Sequence, residues 1–356
     1  MSRSQSRIVG LVVVAMLLAV PYFLEEFWLQ MGLFAMAAAI AAIGLTLLSG
    51  VAGQLSLAHA FYIAVGAYGY CYLAGDSGSD PGLDLPSGLN LPPVLALIGA
   101  VLLAGVAGAL FSPIAGRLRG IYLGLASIGL VFVGQHILRA ASGVTGGFNG
   151  RDAEPFSVLG FTFDATPMNV LGVEYHQLEK LWYLGLLFVA AGAWYAHSIL
   201  GSRPGRALEA IRDSEVAAAV MGVNVPVYRG AAFVVSSMYA GLGGVFIALA
   251  YQRIVPDTFG FLYSLDFVVM IVLGGVASVR GAIVGAAVVI CLPQLLDHYA
   301  TSLPLVAAAG DDGLQPTDAS RFLYGGAVVA VLIFSPGGLA GLARRLSPRH
   351  TKESTA

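Results

Sequence analysis

Nucleophilic, metal-ligating and phosphate-binding chemistry would fall to a short roster in this chain: six histidines, two cysteines and the lysines Lys180 and Lys352. Their spacing supports none of it. His59, His136, His176, His197, His298 and His350 are scattered, with no H-E-x-x-H and no paired-ligand spacing. Cys71 and Cys291 lie in separate apolar runs and read as reduced packing residues. Neither lysine follows a glycine-rich phosphate loop and no G-x-S-x-G occurs, so neither a Walker-type nucleotide site nor a nucleophile elbow is expected. Two interruptions of an apolar chain remain. Residues 49–60, SGVAGQLSLAHA, carry Gln54, Ser56 and His59 among glycine breaks but no charge, and residues 201–229 form a long polar segment with strong helix signals.

The elements that must position these stretches follow from composition. The 356 residues are 58% hydrophobic and 11% charged, with mean hydropathy +0.82, far beyond a soluble domain, so the chain reads as a polytopic membrane protein. Apolar runs fall at 8–24, 29–48, 55–74, 93–114, 121–140, 180–200, 230–250, 263–277, 281–299 and 322–334, about ten spans in an all-α bundle. The first is expected to be a retained span, since no small-x-small cleavage site follows it. Charge sorts by side on this count. Arg3, Arg7, Arg117, Arg119, Arg203, Arg206, Arg212, Arg229, Arg280, Arg344, Arg345, Arg349 and Lys352 share the N-terminal side, whereas the opposite loops carry Asp76, Asp80, Asp84, Asp152, Glu154, Asp164, Glu174, Asp311, Asp312 and Asp318. The positive-inside rule then makes both termini and the 201–229 loop cytoplasmic. Residues 1–340 are expected to form one transmembrane domain with an outer loop at 141–179, and 341–356 a basic, disordered tail.

Residues 49–60 are less polar than a plain cytoplasmic loop, so they are expected to be a broken helix near a pathway, backbone irregularity at membrane depth being tolerated only inside protein or along a cavity. A tight interfacial turn is the other reading, and His59 is open between packing and pathway. LGGVAS at 273–278 echoes LSGVAG at 48–53, a hint of related halves. Asp266, Asp297 with His298, and His136 with Arg139 are expected near the outer surface. In the polar segment, Ser202, Arg203, Pro204 and Gly205 are expected to end one helix, and 206–212 to form one or two helical turns. Asp213 and Ser214 are N-cap types. Residues 215–221, EVAAAVM, follow with an acidic first turn and Gly222 where a C-cap belongs, then Asn224 and Pro226 as stops. So short a helix needs a dock, either its own domain or a partner.

The stretches AIGLTLLSGVAGQLSLAHAFYIAVGAY at 42–68, RGIYLGLASIGL at 119–130, TGGFNG at 145–150, GRALEAIRDSEVAAAVMGVNV at 205–225 and PDTFGFLYSLDFVVMIVLGGVASVRGAIVGA at 256–286 resemble, in order, the permeases of branched-chain amino acid ABC importers. The resemblance covers about residues 30–340 and is to the larger of the two paired permeases. It implies a cytoplasmic E-A-A-x-x-x-G helix that docks an ATP-binding subunit. Ala217, Ala218 and Gly222 match that motif, while Glu215 stands one position further upstream. Ala218 and Gly222, four apart, would give a small-residue face to the partner's groove, with Arg206, Glu209, Arg212 and Glu215 as rim charges that set register. Pathway candidates are Gly50, Gly53, Gln54, Ser56, His59, Thr145, Gly146, Gly147, Asn149, Gly274 and Gly275. The implied partners are a second homologous permease, two ATP-binding subunits that hold the ATP and Mg, an external solute-binding protein and membrane lipid, in the plasma membrane of a prokaryote. No cofactor of the chain's own and no nucleic acid is implied. The same architecture importing urea, short amides or aromatic acids, and a stand-alone secondary transporter without a docking helix, are the alternative readings.

Overall fold

A computed structural model describes residues 12, 14–76, 88–158, 160–170, 173–299, 316–335 and 337–341. In chain order its main helices are α1 Glu26–Leu45, α2 His59–Ala74, α3 Pro93–Arg117, α4 Ile121–Ala140, α5 Gln177–Gly201, α6 Arg203–Asp213, α7 Glu215–Val220, α8 Val225–Tyr251, α9 Phe261–Gly274, α10 Val279–Tyr299 and α11 Pro316–Phe334. Among the described residues six segments, against about ten expected spans, are long and apolar enough to cross a membrane: Glu26–Val51, Pro93–Arg117, Ile121–Ala140, Gln177–Gly201, Val225–Tyr251 and Val279–Tyr299; α2 and α9, at 16 and 14 residues, are shorter. Before α1, helical residues 14–19 lie against α5, whose Trp182 Nε1 and Tyr183 hydroxyl donate to the Leu17 and Leu18 carbonyls at 2.9 and 3.2 Å. The chain is an all-α polytopic membrane protein. All of the expected tail at 341–356 except Gly341, and the loop carboxylates Asp80, Asp84, Asp311 and Asp312, lie outside the described residues.

α8 is the central helix, packed on α1, α2 and α3. Lipid supplies no hydrophobic drive for helix association, so close approach at small residues must do the work. A Cβ on Gly244 of α8 would lie 2.0 Å from the Ile63 carbonyl oxygen of α2 and 3.0 Å from the Ala67 nitrogen, so the two backbones are in contact there. Neither backbone atom can rotate away. Gly244→Val is therefore expected to cost at least about 1–3 kcal/mol and to lower the unfolding temperature in detergent. Gly129→Val, at a position with no atom within 4 Å, is expected to leave it unchanged.

Loops that charge sorting assigns to one side touch one another. Arg119, before α4, pairs with Glu215 at 3.1 Å, and Arg212 reaches the Gly50 carbonyl at the end of α1. On the opposite face, strand β1 (Arg151–Asp152) pairs antiparallel with a strand just after α8 (Arg253–Ile254), and Gln252 donates to Gln177 at 2.7 Å. The same face also carries the ribbons Ser157–Val158 with Phe161–Thr162 and Met168–Val170 with Val173–Tyr175, small β elements absent from the all-α expectation. Lys180, the first residue of the apolar run at 180–200, is buried beneath this cap. Its ammonium donates to the Thr162, Asp164 and Thr166 carbonyls at 3.4, 3.2 and 2.8 Å and pairs with Asp164 at 3.4 Å. Asp164 is held down at a pKa of about 2, first by the hydrogen bond from Thr166.

The starts of α8 and α6 differ from expectation. Asn224 and Pro226 do not stop a helix. Asn224 Oδ1 accepts from the Val227 N–H at 3.4 Å as the N-cap of α8, and Pro226 sits in its first turn, so that span starts at Val225 rather than near 230. Likewise Pro204 and Gly205 belong to α6, which begins at Arg203 just after the break at Ser202.

Candidate coupling and pathway sites

α7 is a short helix closed at both ends. Ser214 Oγ accepts from the Ala217 N–H at 3.3 Å, the N-cap its residue type predicts, whereas Asp213 ends α6. At the other end Gly222 adopts φ +85°, and the Val223 N–H donates back to the Ala218 carbonyl at 3.0 Å, the Schellman closure that a left-handed glycine permits. The helix is held to the body by charge. Glu215 bridges Arg229 of α8 and Arg119, so it is an internal tether rather than a rim charge. Ala218 is also turned inward, 3% exposed, instead of facing a partner. The outward surface consists of Val216, Ala217, Ala219, Val220 and Met221, with Val216, Val220 and Met221 exposed by 75%, 83% and 84%. An alanine-rich sequence gives no amphipathic pattern from which to choose this face, so the misassignment has a physical origin. α6 is amphipathic: Leu208 and Ile211 are buried, while Arg206 and Glu209 are exposed; Arg212, expected as a rim charge toward a partner, instead turns its guanidinium to the chain's own Gly50 carbonyl. Arg206 donates to the Gly201 carbonyl at 3.1 Å, across the break between α5 and α6.

Residues 49–60 interrupt the membrane helices as expected. α1 widens into π-helical Thr46–Val51, the chain then runs without helix through 53–58, and α2 starts at His59, not at 55. Side chains alternate along the extended run: Gly53 and Leu55 are exposed, Gln54, Ser56 and Ala58 buried. Backbone groups freed from a helix inside an apolar bundle must find protein partners. Here the Leu57 N–H donates to Ser127 Oγ of α4 at 2.8 Å, the Ala60 N–H to Ser264 Oγ of α9 at 2.9 Å, and Ser49 Oγ to the Gln54 carbonyl at 3.0 Å. His59 Nε2 lies 2.8 Å from the Ala41 carbonyl, which can only accept, so that nitrogen carries the proton and ties α2 to α1. Both amide atoms of Gln54 are buried without a hydrogen-bond partner among the described residues.

The two echoing motifs meet. A Cβ on Gly50 would lie 1.9 Å from the Val276 carbonyl oxygen, putting LSGVAG directly against LGGVAS. Gly274 packs equally closely on Gly281 of α10, and Gly275, at φ +115°, faces Gly337 and Ala340. Thr145, Gly146, Gly147 and Asn149 belong to a different place. Thr145 Oγ1 donates to the Leu138 and Ala141 carbonyls and accepts from the Gly147 N–H, Gly146 turns at φ +75°, and the Asn149 carbonyl accepts from Arg253. This knot closes the end of α4 and fastens β1, whose Arg151 lies over Tyr72 near the far end of α2. The 16 residues of α2 separate it from His59 by about 24 Å. Arg139 pairs with Asp257 at 2.9 Å at that same end of α4, and Asp266 is half-buried in the second turn of α9.

The model of the family described as branched-chain amino acid transport system, permease component, matches residues 28–332. The high-affinity branched-chain amino acid transport system permease protein LivM of Escherichia coli (strain K12) is 26% identical over 349 residues, 95% of this chain and 75% of that protein. BraD of Pseudomonas aeruginosa, of the same description, is 27% identical over 311 residues, 85% and 91% of the two chains. LivH of Escherichia coli (strain K12) is 25% identical over 291 residues, 78% and 87%. No solved structure matches the chain. The matched residues contain both the helix break and the α6–α7 segment, and the chain belongs to the family of branched-chain amino acid ABC transporter permease components.

Proposed function

We propose that this chain is the larger permease subunit of an ATP-driven importer for branched-chain or other small hydrophobic amino acids in a prokaryotic plasma membrane. It forms half of the translocation pathway with a second, homologous permease, receives substrate from an external binding protein, and docks one of two ATP-binding subunits, which hold ATP and Mg, through α7. The observation that carries this reading is the outward face of α7: large apolar side chains, Val216, Val220 and Met221, exposed on a helix fastened from behind by Glu215 and two arginines. A helix of 6 residues has no stability of its own, and clustered exposed apolar groups outside the lipid call for a protein surface. The pathway side is supported by the break at 53–58 and the buried amide of Gln54 within it, which has no hydrogen-bond partner among the described residues, an arrangement that costs free energy unless a rearrangement supplies one.

The test is reconstitution. The chain in proteoliposomes with its companion permease, both ATP-binding subunits and the binding protein is expected to accumulate leucine only when ATP is supplied, with phenylalanine and urea measured alongside. Leucine uptake by the chain alone without ATP would establish a secondary transporter instead, and preferential uptake of phenylalanine or urea would move the cargo.

A further inference from the structure

Arg212 lies where the α6–α7 segment meets the helix break, and we propose that it is the positioning residue through which movement of the docking segment reaches the break. The inference rests on the docking role proposed above for α7. Arg212 is the penultimate residue of α6, two residues before the N-cap Ser214 of α7, so the two helices and this side chain turn at one corner. Its Nη1 donates to the Gly50 carbonyl at 3.1 Å, in the π-helical end of α1. Carbonyls at a helix end lack the acceptor's usual intrahelical partner, and a guanidinium there is favourably placed both as donor and as charge. Its stem closes on the same segment: a Cβ on Gly53, at φ +67°, would lie 2.7 Å from Arg212 Cγ. The remaining guanidinium nitrogens, Nε and Nη2, are steered by Asp213 Oδ1 at 3.2 Å each.

The contact has somewhere to transmit to. Gly50 is the residue whose backbone abuts Val276, so a pull on its carbonyl acts directly on the seam between the two echoing motifs, and the extended run 53–58 leads from there to Gln54 and His59. A flexible surface arginine would not serve. This one is held by its hydrogen bond to the Gly50 carbonyl and by the close approach of its Cγ to Gly53, with the exposed Asp213 orienting the rest of the fork, which narrows the rotamers that could absorb a displacement of α6. Its side chain is nevertheless 39% exposed, so its removal leaves neither a core cavity nor a buried unpaired charge.

The experiment uses the complete transporter in proteoliposomes and reads leucine transported per ATP hydrolysed. Arg212→Ala is expected to retain its ATP-binding subunits and hydrolyse ATP within about twofold of the unaltered complex, while transport per ATP falls at least about tenfold. Arg212→Lys keeps charge and stem with a single donor point, and is expected to recover part of the ratio. A merely structural role would lower hydrolysis and transport in proportion; that result, or an unchanged ratio in both variants, overturns the proposal. If Arg212→Ala does not assemble, Arg212→Lys carries the test alone, its ratio expected to fall below that of the unaltered complex. Failure of the unaltered chain to bind ATP-binding subunits would instead overturn the docking role, which keeps the two outcomes apart.

Discussion

Val220→Asp with Met221→Asp is expected to release the ATP-binding subunit from a membrane domain that remains folded. Both side chains are more than four-fifths exposed in the chain itself, at 83% and 84%, so removing them costs the fold little. Covered by a partner, each is worth about 1.5–3 kcal/mol, roughly 3–6 kcal/mol together, which is about two to four decades in affinity. Carboxylates in an apolar groove add a desolvation penalty. The measurement is the amount of ATP-binding subunit retained on affinity purification of the permease pair, together with substrate-stimulated ATP hydrolysis. Both are expected to be lost, with the unfolding temperature of the membrane domain unchanged. Phe148→Asp, also exposed, at 75%, but on the opposite face, is expected to retain the subunit. Retention at normal stoichiometry in the double variant would remove α7 from the role of dock.

Substitution at Ala218 would be a poorer test, because Ala218 lies between α7 and the chain's own body, and a larger side chain there acts on the tether before it acts on a partner. That difference marks how far the sequence could be read. Both ends of α7 were legible, since Ser214 and Gly222 are the types that cap a helix and accept a left-handed turn, and both do so. Its orientation was not, because it is decided by Arg119 and Arg229, which are distant in sequence or on the next helix, gripping Glu215. Asn224 and Pro226 were misread for a related reason: the residues that end one helix are those that begin another, and only geometry tells N-cap from stop. The break at 49–60 was visible as glycines and polar residues without charge. What makes it tolerable was not, since Ser127 and Ser264, 70 and 204 residues from their partners, look like ordinary small residues of apolar spans. The outer cap was the least legible part. Its short ribbons carry no periodic pattern, and Lys180 reads as the first residue of an apolar run until three carbonyls and Asp164 are seen to converge on it.

The contact between the two echoing motifs leads to the second large effect, at Gly50. The atoms nearest a Cβ at this position are the Val276 carbonyl oxygen and carbon, at 1.9 and 2.7 Å, and the Ala277 Cα, at 3.0 Å. All are backbone, so no rotamer change can make room, and any side chain must push the end of α1 away from the segment after α9. Overpacking of this kind costs about 1–3 kcal/mol, and more where backbone must yield, against a total stability of about 5–15 kcal/mol. Gly50→Val is therefore expected to assemble with a lowered unfolding temperature. The outward face of α7 is untouched, so the ATP-binding subunits are expected to stay bound. Transport is expected to fall at least about tenfold, because the seam that α6 holds through the Gly50 carbonyl is displaced from its closed contact. Gly116→Val is the control: Gly116 lies in α3 with no atom within 4 Å, and the variant is expected to transport normally. Subunit retention on purification, unfolding temperature and ATP-dependent leucine uptake, measured on the same preparations, separate the alternatives. Loss of all three together would make Gly50 a folding position only, whereas unimpaired uptake would mean that the close contact between the two motifs is not a part of the working cycle.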